Sequence, residues 1–286
     1  MANLKEIRTR INSVSSTMQI TSAMKMVSAA KFKKAQNAIA QIKPYTAKLD
    51  ELVKIISFTQ INEEVENPFN LNTQAKNLLI VPISSNRGLC GAFNNNIFKR
   101  TEKELLKYSK NDVKVFPVGK KSYEYFNSRY EILQYNYAIF DNLNFTNSKN
   151  ISSELINLFL TKKFDAIKLI YNEFKNAATQ NIKVENFLPI KIETEKNIES
   201  KNYIFEPTIE NLIKNIIPNA LKIQFYKSLL DSFASEHGAR MTAMHKATDN
   251  AKQLKDELKL NYNRKRQAAI TNEILEIVGG AEALKS

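Results

Sequence analysis

Side chains that could do chemistry are scarce in this chain of 286 residues: one cysteine and two histidines, with six glycines to shape a binding loop. Cys90 lies in the segment SSNRGLCGAFN, Ser84 to Asn94. A cysteine becomes a nucleophile when a neighbouring base or cation stabilises its thiolate. The only histidines, His237 and His245, lie in a distant C-terminal segment with no sequence relation to it. Cys90 therefore reads as a small buried residue in a tight strand-to-helix turn. The two histidines are not four residues apart on one helical face, so they do not form the metal pair of that spacing. A single cysteine also excludes an internal disulfide and a cysteine metal cluster, which fits a reducing compartment.

The glycines are Gly88, Gly91, Gly119, Gly238, Gly279 and Gly280, and no G-x-G-x-x-G can be assembled from them. Gly119, Lys120, Lys121 and Ser122 follow a strand and are only faintly similar to a phosphate loop, for Lys114 stands where the first glycine of that cradle belongs. The segment reads instead as a helix start after a strand. No catalytic, cofactor-binding or metal-binding residue is assigned, and no small-molecule substrate of the chain's own is expected.

The elements around these residues look mechanical. Residues 1 to 43 contain neither proline nor glycine, Pro44 being the first, and would span about 64 Å as one helix at ~1.5 Å per residue. Ile7, Ile11, Val14, Met18, Thr21, Lys25, Ser28, Phe32, Ala35, Ile39 and Ile42 follow the alternating four-three spacing of a coiled-coil seam. Its polar members Thr21, Lys25 and Ser28 are expected to loosen the pairing locally. Gly238 and Gly279 bracket a second uninterrupted stretch, in which Met244, Ala247, Ala251, Leu254 and Leu258 form the seam.

Between the ends lie short apolar runs, NLLIVPI (77 to 83), VKVFPV (113 to 118) and DAIKLIY (165 to 171), separated by helix-like segments. Strands alternating with helices predict a small α/β domain with a largely parallel sheet. NIKVENFLPI (181 to 190) reads as an edge strand because Pro189 lacks a backbone donor. The fold class is α/β plus a long antiparallel coiled coil. Residues 1–60 and 207–286 pair as a shaft, and residues 75–195 form a Rossmann-like central domain.

The chain carries a net charge of +13 and is 43% hydrophobic and 9% aromatic. Eight Lys or Arg against one acid before residue 44, and eight against three from Arg240 to Arg266, put nearly all the excess in the end helices. Such charge attracts nucleic acid, lipid or an acidic protein. The cations surround the helices and no aromatic residues interleave for base stacking, which speaks against nucleic acid; a basic coiled-coil nucleic-acid binder stays as the alternative. There is no run of roughly 18 apolar residues and no apolar signal core after MANLKEIRTR, so a cytoplasmic or peripheral membrane location is expected.

Three segments in order, IRTRINSVSSTMQITSAMKMVSAAKFKKAQ, SSNRGLCGAFN, and ASEHGARMTAMHKATDNAK with YNRKRQAAITNEILEIVGGAEAL, resemble the gamma subunit of bacterial F-type ATP synthases. The resemblance implies a central-stalk rotor that couples proton flow through the membrane c-ring to ATP synthesis or hydrolysis at the beta subunits and regulates both. It implies no catalysis by the chain alone, and partners in the hexameric alpha–beta ring, the epsilon subunit and the c-ring. It implies a location on the cytoplasmic face of the inner membrane.

By motif position, Met24, Lys25, Arg266 and Gln267 would meet the beta lever loops, with Lys25 and Arg266 in a basic collar. Ile274, Leu275, Ile277, Val278 and Leu284 would form an apolar bearing. Arg87, Gly88, Leu89, Cys90 and Gly91 make the signature turn. Tyr203, Phe205 and Glu206 would form the foot toward the c-ring and epsilon. Gln19 departs from the family, which often has Lys there, and a regulatory cysteine pair is lacking.

Overall fold

The computed structural model describes residues 4–63, 67–70, 76–108, 112–176, 180–190, 206 and 208–283. The chain falls into two compact units, Met1–Ser28 with Met241–Ser286, and Ala29–Arg240. In chain order the elements are helix α1 (Leu4–Glu63), strand β1 (Leu78–Pro82), α2 (Phe93–Leu105), β2 (Val113–Val115) and α3 (Lys120–Phe126). A 3-10 turn (Ala138–Phe140), α4 (Phe145–Leu160), β3 (Ala166–Phe174), β4 (Gln180–Leu188) and α5 (Ile209–Ala283) follow.

In the second unit the sheet order is β2-β1-β3-β4. Strand β1 is parallel to both neighbours, with Leu78 opposite Val113 on one side and Ala166 on the other. Strand β4 is antiparallel to β3 and closes one edge. Strands β1, β2 and β3 fall on the three apolar runs and β4 on the run ending at Pro189 and Ile190, which lies at the edge. The alternation of side chains along β1 divides the core. Leu79 and Val81 face α4 and α5, meeting Leu155, Phe159, Leu221 and Phe225. Leu78 and Ile80 face α2, meeting Phe93, Ile97 and Leu105.

Both long helices run through residues that intrinsically break helices. Helix α1 runs through Pro44, and α5 begins at Ile209 and passes Pro218 and Gly238 before Gly279 and Gly280. Interior proline costs about 3 kcal/mol and glycine about 1 kcal/mol relative to alanine. Against that, Ile209, Ile213, Ile217, Leu221, Phe225 and Leu229 recur every fourth residue and are all buried. Burying each contributes about 2 kcal/mol, so the stripe outweighs both breakers. Intrinsic propensity marks breakers; packing of the stripe decides that the helix continues.

Candidate functional site

The first unit is an antiparallel helix pair made by residues 4–28 of α1 and 241–283 of α5. Thr21 Oγ1 lies 2.8 Å from Thr248 Oγ1, and Lys255 Nζ donates to Ser15 Oγ at 3.0 Å. As one helix ascends in number the other descends. Ile7, Thr21 and Ser28 are buried, and Ile11, Val14, Met18 and Lys25 are half-buried, so the predicted α1 seam is the inward face.

The α5 seam differs by one step. Leu254 is 46% exposed, and Thr248 and Lys255 take inward places with Met244, Ala251, Leu258 and Tyr262. Four-three spacing from Met244 leads to 248, 251, 255 and 258, whereas hydrophobicity alone favours Leu254. The polar rungs are satisfied locally. Besides their contact with each other, Thr21 donates to the Met18 carbonyl at 3.1 Å and Thr248 to that of Met244 at 2.8 Å. Ser28 donates to the Met24 carbonyl at 2.8 Å. Lys25 makes no hydrogen bond or ion pair among the described residues, which leaves its cation half-exposed on the coil.

The residues predicted to meet lever loops do not form one collar. In the observed register Lys25 lies level with the neighbourhood of His245, while Arg266 lies beside the start of α1. The two sites are separated by about 30 Å along the axis at ~1.5 Å per residue. Sequence position alone could not reveal that separation.

From Arg266 to Ala281 every residue is exposed, because α5 has run beyond the beginning of α1. Ile274, Leu275, Ile277 and Val278 are 53 to 66% exposed. A lone helix with an apolar surface gains nothing from tertiary packing. Leu284, Tyr203 and Phe205 lie outside the described residues, and Glu206 is exposed.

The signature turn belongs to the second unit and is built on conformation. Leu89 and Gly91 both take φ of 60°, a left-handed backbone that lets the chain reverse between β1 and α2. Ser85 Oγ donates to the Arg87 carbonyl at 2.7 Å, and Asn94 Nδ2 donates to Ser85 Oγ at 2.8 Å.

From α5, the buried Arg240 reaches over this turn. Its guanidinium donates to the carbonyls of Arg87 at 3.0 Å and Gly88 at 3.2 Å, and pairs with Glu236 at 2.7 Å. Burial raises the Glu236 carboxyl above its ordinary range, and Arg240 offsets part of that rise. His237 is pushed down to about 3 by burial and then by Arg240 and Lys31, so its ring is neutral at pH 7. Arg240 was not singled out by sequence; its signal is only an arginine one turn after a glutamate in a helix.

Cys90 and the start of α3 are both engaged within the fold. Cys90 Sγ has Ser85 Oγ at 3.8 Å and Asn94 Nδ2 at 3.4 Å, neither of them a base, and burial pushes its thiol up. The amides that would cradle a phosphate are occupied. At the start of α3, Lys120 N donates to Asn86 Oδ1 at 3.1 Å, Lys121 N to the Ser85 carbonyl at 3.1 Å and Ser122 N to Ser84 Oγ at 2.8 Å. A phosphate site at a helix N-terminus requires such groups free.

In open α/β sheets ligands bind outside the carboxyl ends of the strands where strand order reverses, here between β1 and β3. That crevice is filled by α5, whose Ser232 and Ser235 donate to the carbonyls of Ile83 at 3.5 Å and Asn172 at 3.2 Å.

The α/β unit and the antiparallel helix pair are both similar to chains of ATP synthase central stalks. The chain superimposes with a TM-score of 0.63 on one from the mitochondrial ATP synthase central stalk and c-ring of Tetrahymena thermophila, at 25% identity over 80% of this chain and 99% of that one. A chain from the Euglena gracilis mitochondrial enzyme gives a TM-score of 0.68 at 20% identity, covering 98% and 94%, which bears on fold alone. A family model described as ATP synthase matches residues 3–284. ATP synthase gamma chains of Flavobacterium johnsoniae and Christiangramia forsetii are 55% and 54% identical, each match covering 99% of both chains. The chain belongs to the ATP synthase gamma chain family.

Proposed function

We infer that the chain is the central-stalk rotor subunit of a bacterial F-type ATP synthase, coupling proton flow through a membrane c-ring to ATP synthesis or hydrolysis at beta subunits. The observation that carries this reading is the stretch from Arg266 to Ala281, a helix exposed on all sides with an apolar surface. It needs a sleeve supplied by other chains. The alpha–beta ring is that sleeve, with Ile274, Leu275, Ile277 and Val278 as the bearing and Leu284 beyond them. Met24 and Lys25 meet one tier of beta lever loops, and Arg266 and Gln267 meet another about 30 Å away. Exposed ion pairs contribute about 0 to 1 kcal/mol each, which suits a shaft that must leave each angle.

Residues 1–60 and 207–286 serve as the shaft and residues 75–195 as its body. Tyr203, Phe205 and Glu206 belong to the foot toward epsilon and the c-ring. The chain performs no ATP chemistry alone, a reading supported by the occupied amides of α3. No helix of the described residues is long and apolar enough to cross a membrane. Attachment at the cytoplasmic face therefore comes through partners.

Deleting residues 268–286 tests the reading. The shortened chain should keep the unfolding midpoint of the full one, because residues 268–281 are all exposed, while proton-coupled ATP synthesis by the assembled complex collapses. Full coupling by the shortened protein would overturn the assignment.

A further inference from the structure

Within the second unit, α1, β4 and α5 enclose a cleft of about 360 Å³ that the rotor reading does not use. Its position and volume suit a small organic molecule. Ser57 on its α1 wall is 4% exposed, and its hydroxyl has no hydrogen-bond partner among the described residues. Buried polar atoms are nearly always satisfied, so an orphan hydroxyl lining a cleft needs an external partner.

The amides of Asn186 and Gln224 line the same cleft, and their side chains make no hydrogen bond among the described residues. Asp50 stands at the rim, and Lys227 lines a continuation of the cleft bounded by the same Asp50, Glu185 and Gln224. Neither Asp50 nor Lys227 forms an ion pair among the described residues. Glu185, by contrast, is engaged: Tyr171 donates to it at 2.7 Å and Lys183 lies 3.3 Å away.

One anion and one cation therefore remain open at the polar end. Val53, Phe187 and Leu221 provide an apolar wall. We propose that this cleft binds a small zwitterion with an apolar tail, the chemistry of an aliphatic or aromatic amino acid. The ammonium of the ligand sits on Asp50, its carboxylate on Lys227, and its tail against Val53, Phe187 and Leu221. Ser57, Asn186 and Gln224 complete the hydrogen bonding. Burial raises the Asp50 carboxyl, with Lys227 the largest influence acting against that rise, so an added ammonium would favour its charged form.

Saturation-transfer NMR on the assembled complex tests this with three probes: L-leucine, isopentylamine, which lacks the carboxylate, and 4-methylpentanoate, which lacks the ammonium. Leucine should bind saturably, and each control about tenfold or more weaker. Asp50→Asn should weaken leucine and isopentylamine by about tenfold and leave 4-methylpentanoate unchanged; Lys227→Gln should weaken leucine and 4-methylpentanoate by about tenfold and leave isopentylamine unchanged. Both positions are partly solvated, so the variants should assemble. Leu221→Phe, which fills the cleft, should remove binding of all three probes. The proposal is overturned by absence of saturable leucine binding, by equal binding of the three probes, or by leucine binding that both charge variants leave intact.

Discussion

Replacing Arg240 by alanine should be a costly change in the second unit. The guanidinium lies within 2.7 Å of Glu236 and within 3.2 Å of the carbonyls of Arg87 and Gly88, and both side chains of the ion pair are less than 9% exposed. Its removal leaves a buried carboxylate without a cation and two turn carbonyls without their donor. Breaking a buried pair from one side costs about 3 to 5 kcal/mol, and at the lower end if Glu236 takes up a proton. That corresponds to a fall in midpoint on the order of 10 °C in thermal unfolding followed by circular dichroism.

Arg240→Lys keeps charge and loses the fork, so about half of the loss should return. The pair Arg240→Met with Glu236→Leu removes both charges and should lie within about 2 kcal/mol of the parent. A single-variant cost below about 1 kcal/mol, or a double variant no better than the single, refutes the claim that α5 is clamped to the turn by this pair.

Two further changes separate other causes. Gly119 has φ of 102°, and a Cβ there would lie 2.2 Å from the Ser84 carbonyl oxygen, so Gly119→Ala should cost about 3 kcal/mol or more in urea unfolding and detach α3 from the β1 loop. Asp231 is raised to about 6, first by burial and against the pull of Lys227. A raised carboxyl stabilises the fold below its unfolded value near 3.8 and loses that contribution as pH rises through about 6. Asp231→Asn should accordingly gain about 1 to 3 kcal/mol at pH 8 and nothing below about pH 4, and an unchanged pH profile of unfolding would contradict it.

Local pattern determined much of this protein. Four-three spacing in α1 fixed its inward face from Ile7 to Ser28, since a helix carries its period wherever it is placed. Short apolar runs marked β1, β2 and β3 because a buried strand must be apolar along its length, as the fully buried β1 is, and an alternating run marked the edge strand β4. The missing glycine at Lys114 was enough to argue against a phosphate cradle.

Tertiary structure decided the matters that depend on which surfaces meet. The choice of Lys255 over Leu254 in the seam follows from register against α1, where Ser15 waits for the ammonium. The separation of Lys25 from Arg266 follows from the antiparallel offset of the two helices. That α5 passes Pro218 and Gly238 depends on a stripe of contacts with the sheet, whose energy outweighs local propensity. Arg240 and Gly88, far apart in the chain, become one clamp only when α5 lies over the β1 turn. Periodicity is written residue by residue, whereas partnership between distant residues exists only in the folded chain.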